Sequence, residues 1–459
     1  MASSSSSLLL LLLLLPFTAP SPIKLSLTPT TIHPSPSDPL KTLNHLASLS
    51  ISRAHHLKSS KSKIPPINTP LYSRSYGGYS ISLNFGTPPQ TVNLILDTGS
   101  SLVWFPCTSN YLCSGCNFPN SDVSNTPKFI PKSSSSSKVI GCQNPKCAWV
   151  FGSNIESQCH NCDSRSQNCT QACPPYIIQY GLGSTAGRLL SESLDFPNVT
   201  TIPNFLVGCS LFSTRQPEGI AGFGRSSESL PRQSSLKKFS HCLISRRFDD
   251  TPVSSELVLD RDSNSGDTKT KGVSYTPFLT NPGTNLVFQD YYYLMLRKII
   301  VGDIDVKVPY SFLAPGADGN SGTIVDSGST FTFMEEPVFE LVAKAFEKQM
   351  RNYSIAIDVQ NQTGLRPCFD ISGEKSVIVP ELIFHFKGGA KMELPLSNYF
   401  AFLDVGVVCL TIVSNTPAAA GGSRGGGPAI ILGNFQQQNF YVEYDLENNR
   451  FGFKKQNCA

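Results

Sequence analysis

The sequence predicts an all-β protein built from two related lobes that face each other across a cleft. A short phrase occurs twice, as residues 95–101 (Ile-Leu-Asp-Thr-Gly-Ser-Ser) and residues 324–330 (Ile-Val-Asp-Ser-Gly-Ser-Thr), which places the two Asp residues 229 positions apart (326 − 97). Each copy is followed later by an apolar-apolar-Gly run, in residues 219–224 and 430–434. Strand patterns surround both copies, and convincing helical patterns are few. Two such lobes could hold two carboxylates around one water.

Each Asp is expected to end a β segment. Residues 79–85 alternate polar and apolar, residues 86–90 form a turn, and residues 91–96 return as a strand that leads into Asp97. Strand-like runs also precede Asp326. The best helix is expected at residues 335–350, where a proline lies near the first turn and apolar residues recur at helical spacing. We expect lobes at residues 76–275, with a cysteine-rich insert, and 276–459.

The first 75 residues have a different character. Residues 8–15 are an apolar run that is too short to span a bilayer but fits the core of a signal peptide at residues 1–21, although the first seven residues carry no Lys or Arg. Residues 22–75 are rich in Pro, Ser, Lys and His, and we expect a pro-segment or linker there, with one short helix near residues 43–51, rather than core. The alternative is a disordered tail.

Composition limits the class of partner. A net charge of +4 on 459 residues is too small to indicate nucleic-acid binding, and no stretch after the leader resembles a membrane span. Nine of the fourteen cysteines fall between Cys107 and Cys173, which is typical of a disulfide framework formed in an oxidising compartment. Four sequons are expected to be exposed and glycosylated, at Asn168, Asn198, Asn352 and Asn361.

The pairs Cys113-x-x-Cys116 and Cys159-x-x-Cys162 could also suggest zinc. The gap of 42 residues between them (159 − 116 − 1) is far longer than zinc-ribbon spacing, so we expect disulfides and no metal. Spacing does not reveal how the nine clustered cysteines pair. Because nine is odd, one of them must pair outside the cluster if all fourteen are bridged, and Cys209 is the natural candidate.

The repeated phrase predicts acid–base chemistry. Two carboxylates in one site cannot both ionise easily, so one pKa falls, the other rises, and the pair holds one proton over an acid range. The ionised partner can accept a proton from water as that water attacks an amide carbonyl, while the protonated partner donates to the carbonyl oxygen and later to the leaving nitrogen. This chemistry requires no covalent intermediate, metal or cofactor.

The residues that flank each Asp have predictable supporting roles. Gly99 and Gly328 allow a tight turn whose backbone N–H groups approach the carboxylates. Ser100 and Ser329 can donate hydrogen bonds to the outer carboxylate oxygens. The remaining pair, Thr98 and Ser327, can tie the two loops together across the lobe interface.

The paired phrases and their apolar-apolar-Gly partners resemble those of the pepsin-like aspartic endopeptidases, over residues 77–458. The Asp-Ser-Gly-Ser form of the second motif, the cysteine-rich segment, and residues 222–225, 239–243 and 433–437 are similar to the plant, nepenthesin-like branch. The resemblance implies the bilobal pepsin-like fold, with Asp97 and Asp326 as the catalytic pair. It also implies a flap hairpin carrying Tyr180 and Gly181, and the disulfides Cys368–Cys409 and Cys242–Cys458.

The resemblance implies a secreted aspartic endopeptidase, made as a zymogen, that cleaves protein or peptide substrates at acidic pH beside apolar residues. We expect a monomer in the extracellular space or cell wall, or in the vacuole. The main alternative is a catalytically silent relative that acts as an inhibitor or a cell-wall binding protein; since neither Asp phrase is degraded, the active enzyme is favoured. A serine hydrolase is disfavoured because none of the seven His residues lies in a recognisable triad context.

Overall fold

The computed structural model describes residues 23–29, 39–58, 78–116, 126–159, 170–245, 254–261, 269–415 and 426–458, apart from residues 182, 198, 217, 375 and 404–405. The expected signal peptide lies outside the described residues. None of the helices in these ranges is long and apolar enough to cross a membrane.

Strands are the main regular elements of both halves of the chain. Those of the first half are β1 (Ile23–Pro29), β2 (Tyr79–Phe85), β3 (Gln90–Asp97), β4 (Trp104–Pro106), β5 (Leu112–Ser114), β6 (Lys138–Val139), β7 (Tyr176–Gln179), β8 (Ser184–Phe196), β9 (Thr200–Thr214), β10 (Gly219–Gly222), β11 (Lys238–Cys242), β12 (Ser255–Asp260) and β13 (Ser274–Leu279). Those of the second half are β14 (Tyr293–Leu294), β15 (Leu296–Val301), β16 (Ile304–Val306), β17 (Thr323–Val325), β18 (Thr332–Met334), β19 (Ser354–Ile355), β20 (Cys368–Asp370), β21 (Leu382–Phe386), β22 (Lys391–Glu393), β23 (Phe400–Leu403), β24 (Val407–Leu410), β25 (Ile412–Val413), β26 (Ile430–Leu432), β27 (Phe440–Asp445) and β28 (Arg450–Lys455).

The described helices are mostly short. They are α1 (Pro39–Lys58), α2 (Pro145–Phe151), α3 (Leu230–Gln233), α4 (Leu286–Gln289), α5 (Tyr310–Leu313), α6 (Glu336–Gln349) and α7 (Ile357–Thr363). The helix expected at residues 335–350 is confirmed as α6, with Pro337 in its first turn and one face buried. The all-β prediction with few helices is therefore confirmed.

One large sheet joins the two halves of the chain, and two four-stranded sheets lie within the second half. The halves meet where β11 pairs antiparallel with β27 and β13 pairs antiparallel with β28. Both Asp-bearing strands have the same type of neighbour, because β3 is parallel to β10 and β17 is parallel to β26. The apolar-apolar-Gly runs seen in the sequence are these neighbours, and each pairs along the strand that leads into its Asp.

Helix α1 corrects one expectation about the N-terminal segment. It runs from Pro39 to Lys58, well beyond the short helix expected near residues 43–51. Its buried apolar side chains belong to the same cluster as side chains of the second half, so the expectation that this segment stays outside the core is wrong. Strand β1 also joins the large sheet by pairing with β12 and β2. The physical reason is that one face of α1 carries apolar residues at helical spacing, and burial of this face is what stabilises the helix.

The described cysteines form disulfides throughout both halves, and Cys162 and Cys169 lie outside the described residues. Cys209 pairs with Cys107, as expected for the candidate partner outside the cluster. Of the thiols that could have suggested zinc, the three that the structure describes are bridged instead, in Cys113–Cys116 and Cys142–Cys159. The remaining described bridges are Cys147–Cys173, Cys242–Cys458 and Cys368–Cys409.

Candidate active site

The two Asp residues of the repeated phrase lie together between the lobes. Asp97 is the last residue of β3, Asp326 directly follows β17, and both are almost completely buried. Backbone hydrogen bonds fix each position: the Phe223 N–H donates to the Asp97 carbonyl (2.7 Å), and the Asp326 N–H donates to the Leu432 carbonyl (3.0 Å). The apolar strand therefore carries each carboxyl to the floor of the cleft.

Each carboxylate accepts the same set of hydrogen bonds. The Ser100 hydroxyl donates to Asp97 Oδ2 and the Ser329 hydroxyl donates to Asp326 Oδ2, both at 2.6 Å. The N–H of Gly99 donates to Asp97 Oδ1 at 2.9 Å, and the N–H of Gly328 makes the equivalent bond to Asp326 at 2.9 Å. These bonds point the free lone pairs of both carboxylates into the cleft.

The glycines leave room for the opposite carboxylate. A Cβ built on Gly99 would lie 2.6 Å from Asp326 Oδ1, and one on Gly328 would collide with Asp97 Oδ1. The two loops are also tied reciprocally. The Ser327 N–H donates to Thr98 Oγ1 at 2.9 Å, the Thr98 N–H donates to Ser327 Oγ at 3.1 Å, and the Ser327 hydroxyl donates to the Leu96 carbonyl at 2.9 Å. The structure thus brings together every residue predicted to support the pair.

Arg53 of helix α1 occupies the space between the two carboxylates. Its Nη2 lies 2.7 Å from Asp97 Oδ1, and its Nε lies 3.2 Å from Asp326 Oδ2. One guanidinium therefore reaches both acids, which are buried with it. The sequence reasoning missed this residue. The available signal was a charged side chain on the same helical face as Leu46, Ser50 and Leu57.

The electrostatics of the three groups are strongly coupled. Burial alone would lower the pKa of Arg53, but the charges of Asp97 and Asp326 outweigh burial and raise it. Burial raises the pKa of Asp97. The Arg53 charge acts to lower this pKa, the nearby Asp326 charge acts to raise it further, and the pKa remains above its usual value. Burial also acts to raise the pKa of Asp326, but the Arg53 charge and the hydrogen bonds from Ser329 and Gly328 leave it below the usual value. The two carboxyls are thereby separated into a more acidic and a less acidic partner.

Tyr180 and Gly181 lie where the sequence places the flap, at the end of the β7–β8 hairpin. The Trp104 Nε1–H donates to the Tyr180 hydroxyl at 2.7 Å, and burial raises the pKa of that hydroxyl. A Cβ on Gly181 would lie 2.7 Å from the Arg53 backbone nitrogen, so this hairpin packs directly on helix α1. A cavity of about 60 Å³ remains between the hairpin, the helix and Asp97.

The other predicted sites are scattered over the molecule. Asn352 and Asn361 are exposed, and Asn361 lies on α7. Asn168 and Asn198 lie outside the described residues. Cys368–Cys409 joins neighbouring strands of the second half, and Cys242–Cys458 ties β11 to the C-terminal end of the chain.

An all-β pair of lobes, each presenting one Asp loop to a shared cleft, defines the pepsin-like class of folds. Solved structures support the fold. The crystal structure titled "edgp" matches with a TM-score of 0.64 at 20% identity, covering 96% of each chain. The crystal structure of basic 7S globulin from soybean matches with a TM-score of 0.60 at 17% identity, covering 95% of this chain and 96% of that one.

The chain belongs to the plant pepsin-like aspartic protease family. It is 34% identical over 433 residues to the Arabidopsis thaliana protein named "Probable aspartyl protease At4g16563", covering 83% of this chain and 82% of the relative. It is 30% identical over 408 residues to aspartic proteinase nepenthesin-1 of Nepenthes gracilis, covering 86% and 80%. Two family models also match, described as "Xylanase inhibitor N-terminal" at residues 79–259 and "Xylanase inhibitor C-terminal" at residues 291–455.

Proposed function

We propose that this protein is an aspartic endopeptidase that is made as a zymogen, with helix α1 closing the catalytic cleft. The observation that carries the proposal is the contact of one buried guanidinium with both carboxylates, at 2.7 and 3.2 Å. Such a contact requires the two carboxylates to face one shared space, which is about the size of a small molecule. That is the arrangement in which two carboxyls can share a proton and activate a water.

When α1 has left the cleft, a water takes the place of the Arg53 guanidinium. The ionised carboxylate of the pair accepts a proton from this water as the water oxygen attacks the amide carbon of the substrate. The protonated carboxyl of the pair donates its proton to the carbonyl oxygen. The tetrahedral intermediate then collapses. The leaving nitrogen takes a proton from the pair, one hydroxyl of the intermediate returns its proton to the pair as the C–N bond breaks, and the acids are again in the one-proton state.

The flap completes the site. The Trp104 indole fixes the Tyr180 ring above the cleft through the 2.7 Å hydrogen bond to its hydroxyl. Closure of this hairpin over a substrate excludes water and strengthens the electrostatic interactions of the acids. The apolar side chains of Ile95 and Ile220, which line the same cavity as Asp97, support a preference for apolar residues around the cleaved bond.

Inhibition by α1 follows from the same contacts. Arg53 occupies the position of the water, and the Gly181 backbone rests on the helix, so neither water nor substrate can bind. In the closed form, with α1 in the cleft, Arg53 lowers the pKa of Asp326. The pairing therefore stabilises the closed form at pH values above the pKa that Asp326 has in the open form, from which α1 has left. The stabilisation is lost as the pH falls through the lowered pKa. Acid therefore releases the helix and supplies the protonation state that the reaction needs.

The processing and location of the protein belong to the same proposal. Residues 1–21 act as the signal peptide, residues 22–75 as the pro-segment, and residues 76–275 and 276–459 form the mature lobes. The disulfides support passage through an oxidising compartment, with the extracellular space, cell wall or vacuole as the destination. Asn352 and Asn361 are exposed and suited to glycosylation.

A second candidate function is the binding and inhibition of another protein without catalysis. It is favoured by the description of the matching family models as xylanase-inhibitor domains. In that case α1 would remain in the cleft permanently. The complete hydrogen-bond sets around Asp97 and Asp326 favour catalysis, because they hold the two carboxyls in the arrangement in which a pair can share one proton.

The test is activity of the purified full chain across acidic and neutral pH on a denatured protein substrate, with N-terminal sequencing of the products of its own processing. We expect loss of the pro-segment and cleavage of the substrate at acidic pH. Asp97→Asn and Asp326→Asn should each abolish cleavage while retaining the fold. Cleavage that persists in either variant would disprove the assignment of the pair.

The silent alternative has a separate outcome in the same assay. If the wild-type chain remains uncleaved and inactive at every pH, the chain can be cut after α1 by a second protease, at a site engineered within residues 59–77. A chain that is still inactive after this cut supports the binding function instead.

A further inference from the structure

Helix α1 covers more than the catalytic pair. It also packs against α7, β18 and β25. Its side chains on the inner face, Leu43, Leu46 and Ala47, are at most 2% exposed. They share one buried cluster with Leu365, Ala401, Leu403, Val407 and the Cys368–Cys409 disulfide. We call these residues of the second half the α1-docking face.

This face is physically continuous with the cleft. The Phe331 N–H, two residues beyond Ser329, donates to the Ser50 hydroxyl of the helix at 2.7 Å. Further along, the Tyr291 hydroxyl donates to the Leu57 carbonyl at 3.4 Å. From Leu43 to Arg53 the helix advances about 15 Å, at about 1.5 Å per residue. A polypeptide held on the α1-docking face therefore reaches the acids about ten residues later.

Loss of the pro-segment would expose this face to water. A monomeric soluble protein rarely leaves a contiguous apolar surface of this kind uncovered, and such surfaces mark binding sites. The α1 helix defines the chemistry that fits the face, since its apolar residues recur at positions i, i+3 and i+4 with polar residues on the outside.

We propose that, in the mature protein, the α1-docking face captures amphipathic helical segments of polypeptide substrates and delivers the following residues into the cleft. The inference rests on the proposed endopeptidase function and adds to it a substrate class: proteins in which an amphipathic helix precedes an extended apolar segment. A short substrate that lacks the helix binds only in the cleft. The face thus acts on KM rather than on the chemical step.

The experiment compares two substrates with the same apolar cleavable segment, one of which carries residues 39–51 of this chain at its N-terminal end. The enzyme is the full chain, cut at an engineered protease site within residues 59–77 and acidified to release the pro-segment. We expect the helical tail to lower KM by about tenfold, since burial of its leucines exceeds the cost of ordering the tail. The kcat should change by less than about twofold.

Matched variants identify the contact. Leu46→Asp in the tail should remove the gain in KM, whereas Ser48→Asp should keep it because Ser48 is exposed on α1. Val407→Asp in the enzyme should remove the gain while leaving kcat/KM on the tail-free substrate unchanged. Equal KM values for the two substrates, or a gain that survives Leu46→Asp, would overturn the proposal.

A binding measurement separates this inference from the proposed activity. The fluorescently labelled tail peptide, which lacks Arg53 and so cannot reach the acids, is titrated against the cut Asp97→Asn variant. Saturable binding that Leu46→Asp removes and Ser48→Asp preserves supports the docking face even if no substrate is cleaved. Absence of binding refutes the docking face even if the enzyme is active.

Discussion

His241 should set the acid limit of the stability of this protein. It lies on β11 with 1% of its surface exposed, between Leu257 and Val442 on the neighbouring strands. Neither ring nitrogen has a hydrogen-bond partner among the described residues, and the ring of Tyr444 lies 6.0 Å away between centroids. Burial lowers the pKa of this imidazole from 6.5 to about 3.

The sign and size of the effect follow from linkage. In the unfolded chain the imidazole takes up a proton below pH 6.5, whereas in the folded chain it stays neutral until about pH 3. Protonation of the unfolded state therefore removes stability as the pH falls between these two values. At about 1.4 kcal/mol per pH unit, the loss amounts to about 5 kcal/mol. This is a large fraction of the typical free energy of unfolding.

The assay is urea unfolding of the full chain at several pH values from 7 down to 3 (a range spanning the titration of His and carboxyl groups, roughly), in an Asp97→Asn background that prevents self-digestion. His241→Leu should reduce the loss of stability on the acid side by up to about 5 kcal/mol. His385→Gln is the matched control, because His385 is only partly buried. If the difference between His241→Leu and the parent is the same at all pH values, the buried neutral imidazole is not the cause.

Three further predictions concern the cleft. Arg53→Gln should release the pro-segment at a higher pH than in the wild type, because the ion pairs to the acids are lost. Gel electrophoresis measures the pH at which processing begins, and an unchanged threshold pH would contradict this prediction. Thr98→Val should lower kcat by about tenfold or more, because the buried Ser327 N–H loses its acceptor. Thr98→Ser keeps an acceptor oxygen, so its kcat should stay near that of the wild type. Equal kcat values for the two variants would refute this reasoning. Tyr180→Phe should raise KM with a smaller change in kcat, because the flap loses its 2.7 Å hydrogen bond to Trp104. Steady-state kinetics on a peptide that lacks a helical tail tests this prediction, and unchanged values of KM and kcat would contradict it.

The position of the Asp pair could be predicted because its signals are local. An apolar strand, an Asp, a hydroxyl residue, a glycine and a second hydroxyl residue follow one another directly, and within each loop the Ser and Gly of this phrase donate hydrogen bonds to its carboxylate. The helix at residues 335–350 was equally accessible, since its proline and apolar spacing lie within one segment. Local patterns of this kind need no knowledge of distant contacts.

The role of Arg53 could not be predicted in the same way. Its partners are 44 and 273 positions away along the chain, and it lies in a segment whose composition is typical of a linker. The apolar face of α1 is interrupted by Ser50 and Arg53, which made the helix look shorter than it is. Both residues face inward because the second half of the chain and the acids offer them partners. Only the tertiary structure supplies that information.

The reciprocal bonds between Thr98 and Ser327 have a consequence for how the protein opens. Moving the lobes apart would leave two buried N–H groups without acceptors at the moment when the acids must be aligned. The base of the cleft therefore behaves as one rigid block shared by both lobes. In the proposed mechanism, access to the acids is controlled by the two elements above this block, the Tyr180 hairpin and helix α1. That mechanism separates admission of substrate and timing of activation from the catalytic geometry, so either can change in evolution or by design while the acids stay in place.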